Sequence, residues 1–358
     1  MNHPKNVVLI TGSSGLIGSA LVDSLTESFD VVGLDRGGLP CPENAARCMS
    51  LDLTSEAEVQ DTLKEVKAEF GDRIASVVHL AAYYDFAGAD SPLYDKITFG
   101  GTERLLRLLN SFSVEQFIFS STMLVHAPCQ PGERINEESP VAPSWPYPIS
   151  KDKTERLILQ QHGNIPVVIF RIAGVYNDDC HSIPLANQIQ RIYERTLTSH
   201  FYPGDPARGQ AFIHLDDLCD ALRLAIERRR HLPLESTFLL GEEETLSYAE
   251  LQQTFERLIH SDEWVTHYIP KPLAKTGAWV QNLVGEPFIK PWMIDRADDH
   301  YALDISRARK ELGWSPRHSL RDTLPKMVAA LKADPHGWYK KNKLKDSGIK
   351  VEGLAGKT

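Results

Sequence analysis

The chain of 358 residues has only five cysteines: Cys41, Cys48, Cys129, Cys180 and Cys219. The number is odd and none stands in a Cys-x-x-Cys pair, which argues against a disulfide framework or a zinc site and for reduced thiols in a cytosolic setting. Long apolar runs are also missing. No window approaches the roughly 20 apolar residues that a membrane-crossing helix needs. The best stretch, 272–289, is broken by Lys, Gln, Asn and Glu, and reads as a helix whose apolar face packs in a lobe or a dimer interface. Basic charge is in deficit: the formal net charge is −9 and the pI near 5.8. Nucleic acid is therefore a poor partner, because phosphate binding wants a basic face. The N-terminus carries no cleavable signal pattern and runs directly into a strand-like "NVVLI". A cytoplasmic protein is expected.

What remains is ordinary soluble composition, 42% apolar and 24% charged. In the first half, short apolar runs alternate with helix-period stretches. Strands are predicted at 7–11, 30–35, 76–81, 116–121 and 167–172, and helices near 15–27, 55–69, 91–110 and 150–162. Continuous Val/Ile/Leu runs indicate strands buried on both faces. The alternation predicts an α/β fold, a Rossmann-like doubly wound parallel sheet with a smaller C-terminal substrate-binding lobe. Residues 1–173 plus about 211–241 are expected to form the dinucleotide-binding domain. Residues 174–210 plus 242–335 are expected to form the lobe. In the tail, 336–358, residues 340–358 hold six lysines against one Asp and one Glu, which reads as a solvated, flexible segment.

"LITGSSGLIGSALVDSL" sets Gly12, Gly15 and Gly18 between the first strand and the first helix. In that context the spacing is informative. Gly12 permits a tight turn, Gly15 lets backbone N–H groups approach a pyrophosphate, and Gly18 lets the helix pack close to the sheet. Leu16 and Ile17 lie between them, at a helix N-terminus that favours phosphates. Asp35 ends the second strand, seventeen residues after Gly18. A carboxylate there accepts from both ribose hydroxyls and repels a 2′-phosphate, so NAD is expected over NADP, although Arg36 partly offsets that repulsion. Asp52, in "LDL" at the end of a third short strand, either meets the adenine edge or caps a turn.

"YPISK" places Tyr147 and Lys151 four residues apart, on one face of a helix. A free tyrosine has a pKa near 10, and a lysine one turn away favours the phenolate. With "TGSSGLIG", Asp35, "DL" at 52–53, "HLAA" at 79–82, "SST" at 120–122, "FIHLDD" at 212–217 and "ALDISRARKELGWSP" at 302–316, the chain resembles the extended short-chain dehydrogenase/reductase family, also called the NAD-dependent epimerase/dehydratase family. The motifs run in family order from residue 6 to about 330. The resemblance implies a catalytic Thr122, Tyr147 and Lys151, with Lys151 also at the nicotinamide ribose. It implies a cofactor site of Gly12, Gly15, Leu16, Ile17, Gly18, Asp35, Arg36, Asp52 and Leu53, with Leu80, Ala81 and Ala82 under the nicotinamide. It implies as well a homodimer built on helices near 91–110 and 150–162.

Departures from the family narrow the chemistry. Met123 and Leu124 stand where similar 4,6-dehydratases carry Asp-Glu, and neither moves a proton. Gly174 replaces an Asn, and Gln210 an Arg, that grip the diphosphate of sugar nucleotides in relatives, which weakens charge-assisted binding there. Thr98 replaces an Asn in "ITFGGTERLL". Tyr83 and Tyr84, beside Phe86, either wall an apolar substrate pocket or pack sheet against lobe. His126, His181 and His214 make no metal constellation; His214 reads as a structural hydrogen-bonder, and no metal is expected. The leading expectation is an NAD-dependent oxidoreductase for a small-molecule secondary alcohol or ketone. A sugar-nucleotide 4-epimerase with retained NAD, and a non-catalytic NAD-binding regulator, are the rivals.

Overall fold

The computed structural model describes residues 5–85, 88–261, 266–272 and 291–345. Its sheet begins with β1 (Asn6–Thr11), β2 (Phe29–Asp35), β3 (Arg47–Ser50) and β4 (Arg73–His79). It continues with the short β5 (Ser113–Val114), β6 (Phe117–Thr122) and β7 (Val167–Ile172). Helices α1 (Leu16–Leu25), α2 (Glu56–Phe70), α3 (Gly100–Leu109) and α4 (Pro146–Gln161) connect these strands, and a π-type turn, Tyr94–Phe99, leads into α3. The strand predictions hold to within about three residues. β3 ends before the "LDL" at 51–53, which therefore lies in the following loop.

A strand further along, Glu235–Leu240, pairs parallel with β7 and completes the order 3-2-1-4-6-7 followed by that edge strand, with β5 attached to β4. Every pairing in this sheet is parallel. Val8, Leu9 and Ile10 of β1 and Val77 and Val78 of β4 are wholly buried. Parallel strands covered by helices on both faces demand such uninterrupted apolar runs. The order reverses between β1 and β4, and ligands of open α/β sheets bind outside the carboxyl ends of strands at such a point. The glycine loop and the segment 80–82 lie there.

A second core gathers Leu185, Ile189 and Ile192 with Phe255, Leu324, Met327 and Trp338. These come from the helices Ile183–Tyr193, Tyr248–His260, Leu320–Ala333 and Pro335–Lys341. Tyr248–His260 starts with a reciprocal cap. The Ser247 hydroxyl accepts from Glu250 N at 3.2 Å, and the Glu250 carboxylate accepts from Ser247 N at 2.9 Å. Ser247→Ala is expected to cost about 1 kcal/mol, read as a lowered urea midpoint. An unchanged midpoint would show that the cap contributes nothing.

Three expectations need correction or fall out of reach. The tail does not turn flexible at 336: Pro335–Lys341 is helical and buries Trp338 and Tyr339, because one face of an otherwise lysine-rich segment is aromatic. Residues 346–358, and nearly all of 272–289, lie outside the described residues. The cysteines are not all free. Cys41 and Cys48 form a disulfide with Cα atoms 5.9 Å apart, while Cys129, Cys180 and Cys219 remain thiols. The chain reverses between β2 and β3, which brings together two residues that spacing alone leaves apart.

Candidate active site

The loop after β1 is built around absent side chains. Gly12 adopts φ +75°, and a Cβ there would meet Ala81 N at 3.0 Å. At Gly18 a Cβ would fall 2.2 Å from the Gly12 carbonyl oxygen. The loop, the start of α1 and the segment 80–82 therefore sit against one another as closely as backbone allows. Gly15 is the N-cap of α1 and no side chain caps that end, so the first N–H groups face the cleft. Leu16 is exposed and Ile17 half-buried at this terminus.

Asp35 closes the other wall. Its two carboxylate oxygens accept from Ser14 N at 2.9 Å and Arg36 N at 2.8 Å. Both oxygens are thus aimed, with lone pairs left for further donors. Arg36 is exposed. Asp52 is a turn cap: one oxygen accepts from Thr54 N and the Thr54 hydroxyl, each at 2.8 Å, and those bonds hold its carboxyl below the usual range. The Leu53 side chain belongs to the core beneath α3, where Gly101 leaves room for it. Its side chain is therefore spent on packing, and only its backbone borders the loop.

Beneath the 80–84 segment runs a buried relay. His79 Nδ1 lies 2.7 Å from the Thr11 hydroxyl and Nε2 lies 2.9 Å from the Thr102 hydroxyl. Burial first, and the Lys151 charge second, pull His79 down to about 3, so the ring is neutral. Ala81 N donates to the Thr11 hydroxyl at 3.2 Å and Tyr83 N donates to the Thr98 hydroxyl at 3.0 Å. Thr98 thus keeps a local hydrogen bond of the kind an Asn would make, and it orients the tyrosine loop.

Thr122 ends β6, and α4 begins at Pro146 with Trp145 as its cap. The adjoining strand end and helix start set the Thr122 hydroxyl, which accepts from Leu124 N at 3.3 Å, beside Tyr147. Lys151 is buried one turn on. Its ammonium donates to Ser120 O at 2.6 Å and lies 4.7 Å from the centre of the Phe119 ring and 6.0 Å from that of Tyr147. Burial pulls Lys151 down to about 7, partly opposed by Glu155. The expected depression of Tyr147 is reversed. Burial dominates, with Tyr84 and Tyr94 adding to it, and the phenol is pushed above its ordinary value although Thr122 works the other way.

Sequence reasoning missed the support behind the lysine. Glu155, four residues beyond Lys151, pairs with Arg171 at 2.7 Å and accepts from the Ser121 hydroxyl. Arg171 also lies 3.0 Å from His126 Nε2, and burial followed by that guanidinium pulls His126 down to about 4. The i, i+4 spacing of Lys151 and Glu155 was the available signal.

Aromatic rings surround Tyr147. Tyr84 meets it edge-on at 4.9 Å, Trp145 lies 5.6 Å away, and Trp292 stacks on Trp145 at 5.0 Å. Tyr84 itself is about half exposed, at 49%. Tyr83 packs edge-on against Tyr94 at 4.8 Å, so of the two tyrosines only Tyr84 contacts the catalytic candidate. Phe86 lies outside the described residues. Trp292, and Arg296, which donates to Ser144 O at 3.1 Å, reach this region from beyond residue 290. No spacing in the sequence announces them.

Gly174 follows β7, whose Ile172 pairs with Thr122, and Gln210 lies just before the strand that pairs with Gly174. Gly174 lies in a short strand, Gly174–Tyr176, paired with Phe212–His214, and a Cβ on it would strike the Phe212 ring at 2.9 Å. Its smallness is a packing requirement, and Asn does not fit without displacing Phe212. Gln210 is exposed and bridges to Tyr301, while Arg208 is already engaged by Gln130 at 3.0 Å and Asp205 at 3.4 Å. His214 accepts from Asp216 N at 3.2 Å as a helix cap, the structural role expected of it. Among the described residues His214, Asp216 and His318 approach one another, but the two rings stack 4.2 Å apart and 21° from parallel. Their in-plane lone pairs do not converge.

Comparisons with known proteins fit this geometry. Residues 8–241 match the NAD dependent epimerase/dehydratase family. A UDP-glucose 4-epimerase of Vibrio cholerae is 24% identical over 89% of this chain and 93% of its own. A decarboxylating sterol-4-alpha-carboxylate 3-dehydrogenase of Saccharomyces cerevisiae is 22% identical over 90% of this chain and 97% of its own. Among solved structures, the Thermus thermophilus UDP-glucose 4-epimerase complex with NAD superposes with a TM-score of 0.69 at 21% identity, covering 92% of this chain and 99% of that one. The chain belongs to the NAD-dependent epimerase/dehydratase family and is an NAD-dependent enzyme of hydride transfer at a secondary alcohol or ketone carbon.

Proposed function

We propose that Thr122, Tyr147 and Lys151 are the catalytic residues and that the substrate is an apolar secondary alcohol or ketone. The aromatic enclosure of Tyr147 by Tyr84 and Trp145, with Trp292 behind, carries this reading. Such walls bind flat or aliphatic bodies and leave few donors for a sugar or diphosphate. Bound NAD accepts or supplies the hydride. Thr122 holds the substrate oxygen, Tyr147 gives or takes the proton there, and Lys151 steadies the charge on the phenol oxygen. Gly12, Gly15 and Gly18, with the N–H groups of Leu16 and Ile17, hold the pyrophosphate. Asp35, flanked by Arg36, holds the adenosine ribose. Residues 80–82 support the nicotinamide end, and the backbone at 52–53 borders the adenine.

The reading includes the division into a cofactor domain, 1–173 plus 211–241, and a substrate lobe. It also includes a homodimer along α3 and α4, where Ile149 and Leu159 of α4, and Leu93 just before the turn into α3, are exposed apolar side chains. A cytoplasmic setting belongs to it as well, since nicotinamide dinucleotides are made and recycled there. Asp35→Ala is expected to weaken NAD about 10- to 100-fold, the loss of two charge-assisted hydrogen bonds, and to narrow the preference over NADP. Calorimetric titration of both dinucleotides reads it; equal affinities for wild type and variant would remove Asp35 from the site.

A second reading, a sugar-nucleotide 4-epimerase with retained NAD, is favoured by the names of the UDP-glucose 4-epimerases among the relatives. Calorimetry with UDP, UDP-glucose and UDP-galactose under saturating NAD separates the two. No heat with any of them supports the apolar substrate. Micromolar binding of UDP overturns it in favour of the epimerase.

A further inference from the structure

We infer that Cys41 and Cys48 form a reversible disulfide that sets the affinity of the adenosine end of the cofactor site, with low-molecular-weight thiols as its reactants. The inference rests on the reading of Asp35 as the ribose acceptor. A recess of about 200 Å³ opens between the glycine loop and the β2–β3 connection, lined by Ser13, Ser14, Asp35, Arg36, Cys41 and Cys48 among others. Cys48 lies on β3 beside Gly33, two residues before Asp35. Cys41 lies in the connection, and the bond between the sulfurs ties that connection to the sheet. The tie reaches the carboxylate in two steps. The Ser14 hydroxyl donates to Pro40 O, next to Cys41, at 2.7 Å, and Ser14 N donates to Asp35 at 2.9 Å.

Without the bond, Asn44 and Ala46 still tie the end of the connection to Asp23 and Val31, and the part from Arg36 to Cys41 keeps the Ser14–Pro40 bond as its tie to the glycine loop. It contains Gly37 and Gly38, the latter at φ +82°, and glycines gain the most freedom when a constraint is released. Ordering the connection around the ribose then falls on the cofactor, whereas the disulfide has already ordered it. The oxidised protein is therefore the tight binder.

Access favours exchange at one sulfur. Cys41 is exposed and Cys48 half-buried. A thiolate attacks the Cys41 sulfur, the S–S bond breaks, and Cys48 leaves as the thiolate and takes up a proton. A second thiol attacks the mixed disulfide and frees Cys41. One disulfide and two thiols become two cysteine thiols and one external disulfide, so electrons and atoms balance. Linkage makes the coupling mutual: whatever factor the bond adds to NAD affinity, NAD adds to the resistance of the bond to reduction.

The test equilibrates the protein in graded mixtures of reduced and oxidised glutathione, with and without saturating NAD, and traps free thiols by alkylation. Peptide masses report Cys41 and Cys48 separately from the other three cysteines. The expected result is that NAD raises the thiol excess needed for half-reduction about tenfold, and that reduced protein binds NAD about tenfold more weakly. The double variant Cys41→Ser/Cys48→Ser is expected to bind like reduced wild type and to ignore glutathione. A midpoint unmoved by NAD, or cysteines that stay free in oxidised glutathione, overturns the inference. Asp35→Ala separates it from the reading beneath. If that variant weakens NAD while the midpoint stays fixed, only the disulfide inference falls. If it leaves NAD affinity untouched, the ribose reading itself fails.

Discussion

Tyr147→Phe lowers kcat by roughly 10²- to 10⁴-fold, the range expected for losing a positioned acid/base, and leaves NAD affinity unchanged. The substitution removes one oxygen and keeps the ring that packs on Tyr84 and Trp145. The hydroxyl lost is the one beside Thr122, so stability shifts by about 1 kcal/mol or less. The direction of the Tyr147 shift matters to the pH profile. Because burial pushes the phenol up, it is protonated throughout the neutral range and stands ready as an acid. Ketone reduction is therefore expected to run more readily than alcohol oxidation at neutral pH, and oxidation to climb with pH until Lys151 loses its charge. Stopped-flow absorbance of NADH, followed in both directions for wild type and variant, checks this. A variant as fast as wild type would remove Tyr147 from the role of acid/base.

How much of this was legible before the structure differs from residue to residue, for physical reasons. The glycine loop was legible because a requirement for missing side chains is written directly in the sequence: the 2.2 Å approach at Gly18 admits nothing else. Asp35 was legible from its place at a strand end. Tyr147 and Lys151 share a helix, so their spacing carried their proximity, but their role came from the resemblance and the sign of the Tyr147 shift did not come at all. That sign depends on how many rings close around the hydroxyl, and Tyr84 and Trp292 arrive from elements 60 or more residues away. Gly174 was assigned to the substrate site because relatives differ there, and the Phe212 ring across the strand requires its smallness as well. The Cys41–Cys48 bond was lost because odd-number arithmetic says nothing about where a loop turns back.

Lys151→Met is expected to abolish most activity and, independently, to change how stability depends on pH. Lys151 is pulled down to about 7 by burial, against an ordinary value of 10.5, with Glu155 opposing. Below pH 7 folded and unfolded chains both hold the proton, and the folded protein bears the full cost of a buried ammonium. Between about 7 and 10.5 the unfolded chain binds the extra proton, so unfolding becomes harder as pH rises. Methionine has nearly the same length and no proton to lose. The difference between wild type and variant should therefore change by on the order of 1 kcal/mol per pH unit across pH 7–9, wild type gaining. The lost bond to Ser120 O and the contact with Phe119 add a pH-independent offset and leave the slope alone. Urea unfolding at a series of pH values measures it. Parallel curves for the two proteins would mean that Lys151 keeps its charge in the folded state up to its ordinary range. In that case the ammonium, held between Ser120 and Phe119, would remain a fixed cation for the Tyr147 phenolate well into the alkaline range, and the alkaline rise in alcohol oxidation would continue past pH 7 without a falling limb.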